Sequence, residues 1–150
     1  MKTLILLLIG SQLLQVRPLS MWEPAPEVNG QFSQVMQNGA RIVYAHSYMS
    51  GTHLYDLEKG SEVIAYYSDG TQETLEVTDL LIAIAQGTDE AKADGNILLK
   101  ANGHWRKVTQ WIDTYSAPGQ ITFYTCYAAE HGLAVPTGRM IIQTKVKTLP

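Results

Sequence analysis

The sequence predicts a mostly β protein: a small closed or nearly closed β-barrel with short helices. Short runs rich in β-branched and aromatic residues recur along the chain, Gly- and Asn-containing turn signals separate them, and few stretches carry a helical period. With 150 residues and 45% of them apolar, the chain has the material for one domain and one hydrophobic core.

The head of the chain reads differently from the rest. Lys2 is followed by an apolar run from Leu4 to Ile9, continued by Leu13, Leu14 and Val16. A positive start before such a run matches the front of a secretory signal, and the run falls short of a span of about 20 residues. Residues 1–20 are therefore expected to form a signal peptide or short membrane anchor, which makes the protein exported, either secreted or tethered to the outer face of the cytoplasmic membrane. No clean small-x-small cleavage site follows, and a buried N-terminal strand or short helix is the other reading. Residues 21–39 read as an N-terminal linker, with Pro24, Pro26 and Asn29-Gly30 in its first part. Phe32 to Gln37 has the spacing of one or two helical turns, closed by Asn38-Gly39.

Strand-like patterning begins at residue 40. Ala40 to Tyr44 is a short β run ending near His46. Glu62 to Tyr67, the turn Ser68-Asp69-Gly70 and the return through Glu73 to Val77 form a hairpin, with Leu75 and Val77 on one face and Thr74 and Glu76 on the other. Asp79 to Ala85 is apolar and fits either helix or strand, and 88–95 is a polar loop or helical turn. Asn96 to Lys100, the turn Asn102-Gly103 and Trp105 to Val108 suggest a second hairpin. Gln120 to Cys126 and Arg139 to Val146 close the chain as strands, Met140 and Ile142 alternating with Arg139, Ile141 and Gln143.

Composition excludes some functions. The net charge is -3 and there is no Lys/Arg block, so the electrostatic footprint of a nucleic-acid binder is missing despite eight Tyr and three Trp. One Cys and four scattered His lack the close spacing of zinc ligands, so neither a metal nor another cofactor is expected. A single Cys forms no intrachain disulfide. In an exported protein it is a thiol with either a buried place or a chemical task.

His46, Cys126 and Arg139 all fall at the ends of expected strands, where a rigid element hands over to a loop. A thiolate is a nucleophile, an imidazole an acid/base, and a guanidinium a donor to an oxyanion. On composition alone His53, His104 and His131 are equally available bases, and a lone Cys is often structural.

The motifs sharpen this. Thr122-Phe123-Tyr124-Thr125-Cys126 resembles the T-L-x-T-C signature of the sortases, cysteine transpeptidases of bacterial surfaces, with Phe in place of Leu. Val43-Tyr44-Ala45-His46 is similar to the strand that ends on the family histidine, with Tyr-Ala where Ala-Gly is usual. Leu54 to Val63 follows the family's next segment, with Ser61 for Asp. Gly138-Arg139-Met140-Ile141-Ile142 resembles the strand that begins with the family arginine. The resemblance spans Ala40 to Val146, so 40–147 is expected to be a sortase-like catalytic domain, although only 45 residues precede His46, fewer than the family's two leading barrel strands usually occupy.

The resemblance implies a transpeptidase that cleaves a short sorting motif through a thioacyl-enzyme and passes the acyl group to an amine. Cys126, His46 and Arg139 would be catalytic, and Thr122 and Thr125 substrate-binding residues lining the cleft. The implied partners are extracellular proteins with a C-terminal sorting signal, and an amine supplied by the cell wall or by another protein. The spacing disfavours two other cysteine enzymes. L,D-transpeptidases hold Cys-x-Arg together, whereas here 13 positions separate the two, and a papain-like order needs a base well after Cys126, where only His131 follows. The alternative is a non-catalytic exported β-barrel that serves as a binding or structural module.

Overall fold

A computed structural model of the chain describes residues 2–46, 48–85, 98–127 and 138–147, with the backbone alone at 85, 126 and 127. The strands among these residues are β1 (Leu4–Ile9), β2 (Gln12–Pro18), β3 (Gln31–Gln37), β4 (Ala40–Tyr44), β5 (Glu62–Tyr67), β6 (Gln72–Ala85), β7 (Leu98–Ala101), β8 (His104–Lys107), β9 (Ile121–Tyr127) and β10 (Gly138–Val146). A 3-10 segment covers Ser50–Asp56, and one short helix, α1, covers Val108–Thr114. Eight strands close a ring in the order β10-β9-β4-β3-β2-β1-β5-β6, with β6 pairing back onto β10. Closure leaves the ring without an open edge. The β7–β8 hairpin extends the sheet outward from the last residues of β6.

Turn chemistry sets several of these pairings. Asn38-Gly39 joins β3 to β4 and Asn102-Gly103 joins β7 to β8, each with positive φ at both residues (52° and 80°, 51° and 80°). That is the two-residue turn whose twist matches paired strands, and Asn and Gly tolerate its backbone. In the β5–β6 hairpin the registers Val63↔Leu75 and Glu62↔Glu76 put Leu75 and Val77 inside, as their alternation predicts.

The barrel has a core on each side of its wall. Leu4, Leu7, Phe32, Val63, Phe123 and Ile142 fill the interior, where the Phe32 and Phe123 rings lie 6.2 Å apart. On the outer face of β4, β9 and β10, Ile42, Tyr44, Tyr124 and Ile141 pack with Trp111 and Ile112 of α1. β6 serves both cores because of a bulge. Gln143 pairs with Asp79 but Thr144 pairs with Val77, which leaves Thr78 extra, with its hydroxyl donating to the Gln143 carbonyl at 3.2 Å. The extra residue reverses the alternation. Leu75 and Val77 face the interior, and Leu81 and Ala83 face the outer core.

Two expectations are corrected here. The apolar head, expected to be an export signal or anchor over 1–20, supplies β1 and β2, with Leu4, Leu7, Ile9 and Leu14 in the barrel interior. The linker expected over 21–39 contains β3, a strand rather than helical turns. β3 pairs in parallel with β2 and antiparallel with β4. The apolar spacing of Phe32, Val35 and Met36 imitates a helix because the intervening Ser33 and Gln34 are buried although polar. Among the described residues no helix is long and apolar enough to cross a membrane.

Candidate active site

The site is built where β4, β9 and β10 meet one rim of the barrel. β4 and β9 run parallel, and their last paired residues are Tyr44 and Tyr124. Two residues further along the chain from each stand His46, just past the end of β4, and Cys126, still within β9. β10 runs antiparallel on the other side of β9, and its Arg139 pairs directly with Cys126. Directly opposed residues on antiparallel strands have Cα atoms about 4.5–5.5 Å apart. The sequence positions 46, 126 and 139 thus come together at three neighbouring strand ends, with 126 in the middle.

The backbone after β4 is pinned at several points. The Thr125 hydroxyl donates to the Ala45 carbonyl at 2.8 Å, and the His46 carbonyl accepts the backbone N–H groups of Met49 (3.1 Å) and Gly51 (3.0 Å). These bonds turn the chain sharply into the 3-10 segment. Gly51 lies so close to this turn that a Cβ there would collide with the Thr125 hydroxyl and stand 2.6 Å from the His46 carbonyl. Ser50, itself buried, accepts the Gln31 N–H at 3.0 Å and ties the turn to β3.

The His46 side chain is half-buried and stacks on the Tyr48 ring, with centroids 4.9 Å apart and planes 20° from parallel. The Tyr48 hydroxyl donates to Glu27 Oε1 at 3.0 Å. Arg139 is 8% exposed, a deep position for a guanidinium. Its Nε donates to the Tyr124 hydroxyl at 2.9 Å and its Nη1 to the Gly138 carbonyl at 2.9 Å. Trp22 packs edge-on against Tyr124 at 6.3 Å and lies over Tyr44 at 4.9 Å. The Tyr44 hydroxyl donates to the Glu23 carbonyl at 2.7 Å, and burial pushes its pKa up.

The two threonines expected to line the cleft do not reach its surface. Thr122 is fully buried and donates to the Tyr115 carbonyl at 3.2 Å, and Thr125 is 1% exposed with its hydroxyl on Ala45. Both belong to the frame. Of the other histidines, His53 lines a groove with the β1–β2 turn and Asp56, and His104 opens β8. His131 lies outside the described residues. The residues that sequence reasoning passed over are Trp22, Glu27, Tyr48, Gly51 and Tyr124. Tyr124 sits inside a quoted motif. Trp22 and Glu27 gave no local signal, because their contacts depend on where the β2–β3 connection crosses the barrel.

No family model matches the chain, and no curated protein resembles it in sequence. Solved structures do. The SrtA sortase from Actinomyces oris superposes with a TM-score of 0.59 at 15% identity, covering 98% of this chain and 80% of that one. A lid mutant of sortase A from Corynebacterium diphtheriae gives 0.58 at 14% identity, covering 100% and 73%. Sortase C from Clostridium perfringens, solved with the C-terminal cell wall sorting motif, gives 0.53 at 13% identity, covering 98% and 72%. Identity at this level speaks for the fold alone. The closed ring of eight strands, matched along nearly its whole length, is a divergent version of the sortase fold.

Proposed function

We propose that the chain is a sortase-type cysteine transpeptidase with Cys126 as nucleophile, His46 as acid/base and Arg139 as donor to the oxyanion. The observation that carries this is the register at the rim: Arg139 opposite Cys126 on β10, and His46 leaving β4 two residues past its last pair with β9. In the first half-reaction the Cys126 thiolate bonds to a peptide carbonyl carbon and the carbonyl oxygen becomes an oxyanion. The Arg139 guanidinium, oriented by Tyr124, donates to that oxygen. Collapse breaks the C–N bond, and the departing amine takes a proton from His46, leaving a thioester. A second amine then attacks the thioester, gives its proton to His46 and expels the thiolate.

The substrates on this reading are exported proteins carrying a C-terminal sorting signal, and the acceptor is an amine of the cell wall or of another surface protein. The enzyme itself works outside the cytoplasmic membrane. One solved neighbour, the Clostridium perfringens sortase C, was captured with such a motif, which supports this substrate class.

Hydroxylamine intercepts thioesters and gives a test without knowledge of the natural acceptor. The protein is incubated with a pool of sorting-signal peptides and hydroxylamine. A peptide hydroxamate, absent with Cys126→Ala, is the expected product. A folded protein that yields none from any peptide of the pool would contradict the proposal and favour a non-catalytic barrel.

A further inference from the structure

Tyr48 poses a question of packing. It is 63% exposed, so burial does not fix its ring, yet the ring lies nearly parallel to the His46 imidazole. Its hydroxyl ends on Glu27, which belongs to the connection between β2 and β3. Five residues earlier, the same connection places Trp22 on Tyr44 and Tyr124, and Tyr124 holds Arg139. One strap therefore touches the surroundings of both residues that flank Cys126 in register.

The strap is suited to fixing a distance. Pro24 and Pro26 lie between its two contact points and restrict φ there and the residues before them. Glu23 is held through both its N–H and its carbonyl by the Tyr44 hydroxyl. At the ends, Leu19 N–H donates to the Gln34 carbonyl at 2.8 Å and Gln15 N–H to the Gly30 carbonyl at 2.9 Å. Glu27 is thereby presented from a stiff, anchored segment. The His46 backbone is pinned by its own carbonyl, but its imidazole still has two side-chain torsions to be set.

We propose that Tyr48, held by Glu27 of the β2–β3 strap, is a positioning residue that fixes the His46 ring. The stack selects one ring plane, and the Glu27 carboxylate keeps the Tyr48 ring from swinging into solvent. The stack itself is independent of catalysis. Its consequence for Cys126 rests on the transpeptidase reading.

The test uses the full chain and records two signals: the ring-proton NMR shifts of His46, and the rate at which iodoacetamide labels Cys126. The variants are Tyr48→Ala, Tyr48→Phe and Glu27→Ala. All three replace exposed side chains and leave the fold intact, which circular dichroism verifies. In the unaltered protein the His46 ring protons carry an upfield ring-current shift. Tyr48→Ala abolishes it, whereas Tyr48→Phe and Glu27→Ala, which keep a ring at 48 but both remove the bond between 48 and 27, weaken it to a similar extent. Labelling of Cys126 slows about tenfold in Tyr48→Ala and less, by about threefold, in Tyr48→Phe and Glu27→Ala alike, since small misplacements of a catalytic partner are expensive in rate. A His46 shift unchanged in Tyr48→Ala overturns the stack. Unchanged labelling in Tyr48→Ala, when His46→Ala still slows labelling, overturns the positioning role and leaves the transpeptidase reading intact. If His46→Ala has no effect on labelling, that reading fails, and the ring shifts alone decide whether the strap fixes His46.

Discussion

The two sides of the β4–β9–β10 wall differ in kind. Inside, Val43, Phe123, Met140 and Ile142 meet other apolar side chains. Outside, the same three strands carry Tyr44, Tyr124 and Arg139, whose polar atoms are bonded to one another and to the backbone. Alternation along a strand makes this separation possible, because successive residues face opposite ways. The interior fixes where the strands lie. The outer face then uses that rigidity to hold a guanidinium beside the row of Cys126.

Substitutions on the two sides should therefore fail differently. Phe123→Ala, which empties a fully buried interior position, should destabilise the fold by about 3–5 kcal/mol in denaturant titration. On the outer face Tyr124→Phe should cost about 1.5–3 kcal/mol, because a buried charged donor loses an acceptor. It should also slow any reaction that depends on Arg139, an effect Phe123→Ala would produce only through unfolding. Equal stability losses at the two positions, with no change in reaction rate for Tyr124→Phe, would erase the distinction. Gly51→Ala probes the seam between the two sides. Its Cβ would press on the Thr125 hydroxyl and the His46 carbonyl, so about 1–3 kcal/mol should be lost together with the His46 geometry. Thr125→Val, which removes the bond to Ala45, should cost about 1 kcal/mol.

The smallest effect at neutral pH concerns the buried tyrosines. Burial first, then Glu73, raises the pKa of Tyr67, and burial raises that of Tyr44. A raised value in the folded state means that the neutral hydroxyl is favoured there. The resulting stability is intact below the ordinary tyrosine range near about pH 10 and is lost as the pH rises above it. Alkaline melting curves should therefore fall steeply, and Tyr67→Phe should flatten them. An identical alkaline limb in that variant would count against the burial of Tyr67 as its source.

Much of this was legible in the sequence where local rules suffice. The β5–β6 hairpin, the Asn102-Gly103 turn, and the strands ending near His46 and Cys126 follow from alternation and turn chemistry. The motifs singled out His46, Cys126 and Arg139 separately, and the pairing of β4, β9 and β10 sets those three positions at one rim, where their roles stand as the proposal. The head of the chain misled because β1 is a leucine run without a polar face, and such a run has the composition of an export signal. Its partners, β2 and β5, lie within the barrel, and β5 follows it by more than fifty residues, so periodicity alone could not reveal the pairing. β3 misled for the opposite reason, since buried Ser33 and Gln34 broke the expected alternation. Thr122 and Thr125 were placed in the right strand, but their hydroxyls are used inside the frame. The strap was invisible, because Trp22 and Glu27 gain their meaning only from the crossover that carries them over the rim.

The most direct test of the central claim is the rate of Cys126 alkylation in the folded protein from about pH 5 to 9, where an imidazole partner changes charge. It is measured alongside His46→Ala and Arg139→Ala. The account predicts fast, pH-dependent labelling whose profile changes when His46 is replaced and whose rate changes when Arg139 is replaced. Slow labelling that neither substitution alters, in protein shown to be folded, would contradict it.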